Sequence, residues 1–119
     1  MTIDELRALC LSLPGTHEKE TWGDAEHAGD VTFRVRDRIY LITGQTGGAA
    51  SIRTTTDQQA ELIDAFPEAF TSAPYVGRFG WVNARLDIAD PVVLRDVVVS
   101  AWRRTAPKAV VAEFDARPR

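Results

Sequence analysis

Between Val31 and Thr54 three strand-like runs, the first alternating apolar and polar residues, follow one another through very short connections. Strands joined so closely have no room for a crossover, so they must pair antiparallel as a meander. In Val31-Thr32-Phe33-Arg34-Val35-Arg36, residues Val31, Phe33 and Val35 share one face, and Thr32, Arg34 and Arg36 the other. Asp37-Arg38 is expected to turn the chain into Ile39–Thr43, and Gly44-Gln45-Thr46-Gly47-Gly48 into Ala49–Thr54.

A sheet with one apolar face needs a cover, and three amphipathic segments offer one. The first follows a capping box, Thr2 with Glu5, carries Ile3, Leu6, Leu9, Cys10 and Leu13 at helical spacing, and stops at Pro14-Gly15. A second is expected from Thr56 with Gln59 as its box, burying Ala60, Leu62, Ile63 and Phe66 before Pro67. The third opens on Asp90-Pro91, an N-cap followed by proline at the first helical position. Its residues Val93, Leu94, Val97, Val98, Ala101 and Trp102 are free to pack before Pro107 interrupts it. One short strand fits around Glu18–Trp22 in the acidic stretch 16–30. Another fits at Trp81–Leu86, after the irregular stretch 68–80. The order is α-β-β-β-β-α-β-α. It implies an α+β two-layer sandwich, an antiparallel sheet of about five strands with helices on one face. At 119 residues this is one domain, expected over 1–114 with a frayed tail at 115–119.

Cys10 is the single cysteine, which excludes an intramolecular disulfide and a cysteine-based zinc site. Met1-Thr2-Ile3-Asp4-Glu5 is acidic where a secretory signal would be basic, and no apolar run approaches the ~20 residues of a membrane span. A cytoplasmic protein without a membrane partner is expected. The net charge is −3, but it is unevenly distributed. Residues 1–30 carry −5, residues 31–56 carry +3 from four arginines and Asp37, residues 57–70 carry −4 and residues 71–119 carry +3. Folding could sort these blocks onto different faces.

The sequence resembles the MmcQ/YjbR family, also described as having a CyaY-like or secretion-chaperone-like fold. The resemblance rests on Leu13-Pro14-Gly15-Thr16, Thr32-Phe33-Arg34-Val35 and Ser51-Ile52-Arg53. Its most specific stretch is Ala73-Pro74-Tyr75-Val76-Gly77-Arg78-Phe79-Gly80-Trp81-Val82, with Ser100-Ala101-Trp102 and Ala106-Pro107-Lys108 at the end of the last helix. It implies the same two-layer fold. It also implies DNA binding, an activity ascribed to the family largely through a fold shared with a phage transcription factor. Strands of such proteins often carry lysines, whereas this chain has only Lys19 and Lys108 and relies on arginine.

Catalysis finds no support. There is no G-x-S-x-G elbow, Cys10 lies on the apolar face of its helix, and the glycines at 44–48 lack the Lys-Ser/Thr of a phosphate-binding loop. No catalytic residue and no cofactor is expected. His17, Glu20, Asp24, Glu26, His27 and Asp30 crowd one acidic segment, yet their spacing matches no metal motif, and a solvated loop explains them equally well. No metal is expected.

The arginines form the best constellation. If Val31, Phe33, Val35, Ile52, Val82, Ala84 and Leu86 face the helices, alternation sends Arg34, Arg36, Arg53 and Arg85 to the open face, with Trp81 and Asn83. Such a face could hold phosphates and stack a base, although an uncovered face must be polar in any case. Arg78 belongs to the neighbouring loop with Tyr75, Phe79 and Trp81. These aromatics either line a pocket or contact a partner, or else plug the core edge between the second helix and the last strand; the plug suits Phe79 better, and Tyr75 fits both. The expected partner is DNA or another nucleic acid through Arg34, Arg36, Arg53, Arg78, Trp81, Asn83 and Arg85. The alternative is a protein-interaction or small-ligand module.

Overall fold

The capping box at the start of the chain closes as its residues dictate. Glu5 N–H donates to Thr2 Oγ1 at 3.1 Å, and Thr2 N–H donates to Glu5 Oε1 at 3.0 Å, opening α1 (Ile3–Ser12). The computed structural model describes residues 1–21, 29–44 and 48–118. After α1 come β1 (Thr16–Thr21), β2 (Asp30–Val35), β3 (Arg38–Thr43), β4 (Ala49–Ile52), α2 (Thr56–Ala65), β5 (Phe70–Ser72), β6 (Val82–Arg85), α3 (Pro91–Thr105) and α4 (Lys108–Asp115). The fold is α+β, with a six-stranded sheet in the order β1-β2-β3-β4-β6-β5 and every pairing antiparallel.

One sheet face carries Phe33, Leu41, Ile52 and Val82 in a single cross-strand row, and a single core joins them to Leu6, Cys10, Leu62, Leu94, Val98 and Trp102 of the helices. The Trp102 indole N–H is spent on the Pro14 carbonyl at 2.9 Å, so a large ring is buried without an orphaned donor. Edge strand β1 points Glu18 and Glu20 toward the helix side, and Arg7 of α1 meets Glu18 there in an ion pair. Inward-pointing charge on an edge discourages pairing with other chains.

Several expectations are corrected. The stretch 68–80 contains β5, a three-residue edge strand. Helix α2 is capped by Thr55, whose hydroxyl accepts from Gln58 N–H at 3.1 Å, and not by Thr56. Phe66 is exposed rather than buried. The β2–β3 turn is Arg36-Asp37, and Arg36 takes φ 55° outside the strand. Pro107 divides two helices, and Asp115, expected in the frayed tail, ends α4 and pairs with Arg103 at 2.6 Å. Trp22, Asp24, Glu26, His27, Gln45, Thr46, Gly47 and Arg119 lie outside the described residues. No helix among the described residues is long and apolar enough to cross a membrane.

Candidate nucleic-acid interface

Cross-strand register decides what the outward sheet face presents. Its central row runs Lys19, Thr32, Ile42, Ser51, Asn83, Thr71 across all six strands. Apart from Lys19 at the edge, this row is neutral. Asn83 sits in it, half-buried, as alternation implies.

The arginines lie to either side of that row. Arg34 pairs across the sheet with His17 and Ile39, and its Nε donates to Thr32 Oγ1 at 2.9 Å. Arg53 follows directly on β4, two residues beyond Ser51, and its N–H donates to the Tyr40 carbonyl at 3.0 Å. Arg36, in the β2–β3 turn, and Arg38, opposite Val35 on the helix side of β3, lie at this same end of the sheet. Arg85 is placed at the opposite end, opposite Ala49 and four residues, roughly 13 Å, along β4 from Arg53. It is ion-paired with Asp87 at 3.8 Å. Arg34 and Arg85 thus share the open face, as alternation implies, but sit at opposite ends of it. Alternation assigns a side chain to a face but does not say how far along the strand it sits.

What sequence reasoning missed is Arg38 and Arg104. Burial, and after it the charge of nearby Arg38, lower the proton affinity of the Arg53 guanidinium. Arg104 reaches back from α3 to the Gln58 amide oxygen and, at 3.5 Å, to the Arg53 carbonyl. The charge block at 31–56 signalled Arg38; nothing local signals Arg104, which arrives through a tertiary contact. Among the described residues, Arg34, Arg36, Arg38 and Arg53 have no ion-pair partner, whereas Arg7, Arg85 and Arg103 each have one.

The loop between β5 and β6 folds onto the start of α2. Gln59 Nε2 donates to the carbonyls of Gly77 at 2.8 Å and Trp81 at 2.7 Å, and Thr54 Oγ1 donates to Gly80 O. This closure buries Trp81 to 9% exposure, so the indole expected to stack on a base is enclosed. Phe79 is the reverse case: 62% exposed rather than plugging the core, with the Arg78 guanidinium 4.8 Å from its ring centre. Tyr75 is 95% exposed. It helps line a groove of about 480 Å³ with Asp30, Ile42, Ser51, Pro74 and Val76, so the loop overhangs the outward face of β3 and β4.

The acidic segment does not assemble a metal centre from its described members. β1 alternation sends His17 and Glu20 to opposite faces, and no group of three or more His, Cys, Asp or Glu among the described residues could hold an ion.

The YjbR family model matches residues 11–104. Among solved structures, the Deinococcus radiodurans protein DR2400, with a DUF419 domain, superposes with a TM-score of 0.77 at 22% identity, covering 98% of this chain and 89% of that one. That similarity is one of fold. No curated protein matches the chain. All six strands, the overhanging loop and nearly all of the closing helix α3 fall within the matched span, and the chain belongs to the YjbR family.

Proposed function

We propose that this domain is a non-enzymatic, cytoplasmic nucleic-acid-binding module that takes backbone phosphates at the arginine end of its sheet. The observation that carries this reading is the convergence of Arg34, Arg36, Arg38 and Arg53 at one end of the sheet without a carboxylate partner. Like charges held together, one of them partly buried, gain most from a polyanion, because guanidinium groups match phosphate oxygens in pairs. Binding rather than catalysis is supported by Cys10, whose burial pushes its thiol up to about 12, the opposite of an activated nucleophile.

The test is fluorescence anisotropy with a labelled oligonucleotide over a range of salt. Each Arg→Ala change at 34, 36, 38 or 53 should weaken binding to all sequences alike and lower the salt slope by about one unit. Arg85→Ala, already paired and at the far end, should change little. Binding that survives the quadruple substitution with its salt slope intact overturns the proposal. A protein partner is the second reading, favoured by exposed Tyr75 and Phe79.

A further inference from the structure

The loop Pro74-Tyr75-Val76 is a γ-turn: Val76 N–H donates to the Pro74 carbonyl at 2.6 Å and Tyr75, at its centre, takes φ 63°. This positive-φ form is rare and strained, more so for a side chain than for glycine. The strain secures no core packing, since the ring is 95% exposed. The turn is nonetheless firmly held. A Cβ added at Gly77 would meet Ser72 Oγ at 2.1 Å, one added at Gly80 would meet the backbone of Thr55 and Thr56 at 2.8 Å, and Gln59 ties Gly77, which opens the 3-10 segment Gly77–Phe79, and Trp81 just beyond it to α2. A rigid base thus displays an aromatic ring over the outward sheet face.

We infer that Tyr75 and the groove beneath it seat one unstacked base of a single strand. The inference rests on the nucleic-acid reading above and adds to it a preference for single strands over duplex. The groove's volume, about 480 Å³, lies in the range of sites for small planar ligands. Ile42, Pro74 and Val76 give it apolar walls, while the Ser51 hydroxyl and Asp30 carboxylate offer hydrogen bonds to a base edge, the carboxylate suiting an exocyclic amino group. Ser51 and Arg53 lie two residues apart on the same face of the β4 chain, roughly 7 Å. A phosphate at Arg53 therefore leaves its base within reach of Tyr75. A base inside a duplex cannot reach this seat without being flipped out.

The experiment compares wild type, Tyr75→Leu and Tyr75→Phe by anisotropy, on oligo-dC, oligo-C RNA and a duplex of the same length. The DNA and RNA arms show which sugar the seat accepts. Tyr75→Leu should weaken single-strand binding about 5- to 150-fold, the range for losing one base–aromatic stack, and leave duplex binding unchanged. Tyr75→Phe should retain wild-type affinity, because the ring and not the hydroxyl does the stacking. Equal single-strand affinity in Tyr75→Leu and wild type overturns the base seat while leaving the arginine reading standing. Absence of nucleic-acid binding by wild type even at low salt overturns both, and the exposed aromatics then belong to a protein surface.

Discussion

Tyr75 and Gly80 both take positive φ, 63° and 98°, for opposite reasons. Gly80 needs the space: a Cβ added there would meet the backbone at the start of α2 at 2.8 Å. Gly80→Ala should therefore lower stability by about 1–3 kcal/mol, read from the urea midpoint, through strain and steric clash together. Tyr75 meets no such need. Tyr75→Gly should raise stability by about 0.5–1 kcal/mol, the relieved left-handed strain exceeding the added chain entropy, while single-strand binding falls. A change that stabilises the fold and impairs binding marks a residue kept for function; a loss of stability would show that the ring contributes to packing after all. The aromatic cluster at 75–81 was legible in the sequence, but the roles within it were not. Trp81 and Phe79 exchange their expected places because burial there depends on how the loop closes over Gln59 and Thr54, and local alternation carries no record of that.

The longer elements were readable where side chains repeat over several turns. α1, α3 and the β2–β3 hairpin follow from capping signals and periodicity, and all three appear. β5 was hidden because three residues, Phe70-Thr71-Ser72, are too few to show a period, and its pairing with β6 is a long-range event. The start of α2 was ambiguous because Thr54, Thr55 and Thr56 are alike in sequence and differ only in what they bond. Thr54 is buried against Gly80, Thr55 caps the helix, and Gln59, read as the partner in a capping box, pins the loop instead. Thr55→Ala should accordingly cost about 1 kcal/mol of stability, whereas Thr56→Ala should stay within about 0.5 kcal/mol of wild type. Chemical denaturation of the two variants side by side decides which residue is the cap.

For the whole molecule, the uneven charge seen along the chain becomes an uneven surface only in part. The basic block 31–56 does collect at one end of the sheet, yet Arg85 is carried to the other end by register. The core adds a global dependence on pH that composition alone does not reveal. Cys10 and Tyr40 are both fully buried, and the Tyr40 hydroxyl lies 3.0 Å from Thr16 Oγ1. Burial pushes the Cys10 thiol up to about 12 and raises the Tyr40 phenol above its ordinary value. The folded state thus keeps two protons that the unfolded chain releases more easily. A raised folded value means that the stabilisation is complete below the unfolded pKa and is lost as pH rises toward the folded one. For Cys10 that window runs from about 9 to about 12, at roughly 1.4 kcal/mol per pH unit, and Tyr40 adds to the decline above about 10. The melting temperature should hold steady through neutrality and fall progressively above pH 9. Cys10→Ala should start from lower stability, because it leaves a small cavity, but its decline between pH 9 and 10 should be shallower. Parallel alkaline slopes for wild type and Cys10→Ala would place the titrating group elsewhere than at Cys10.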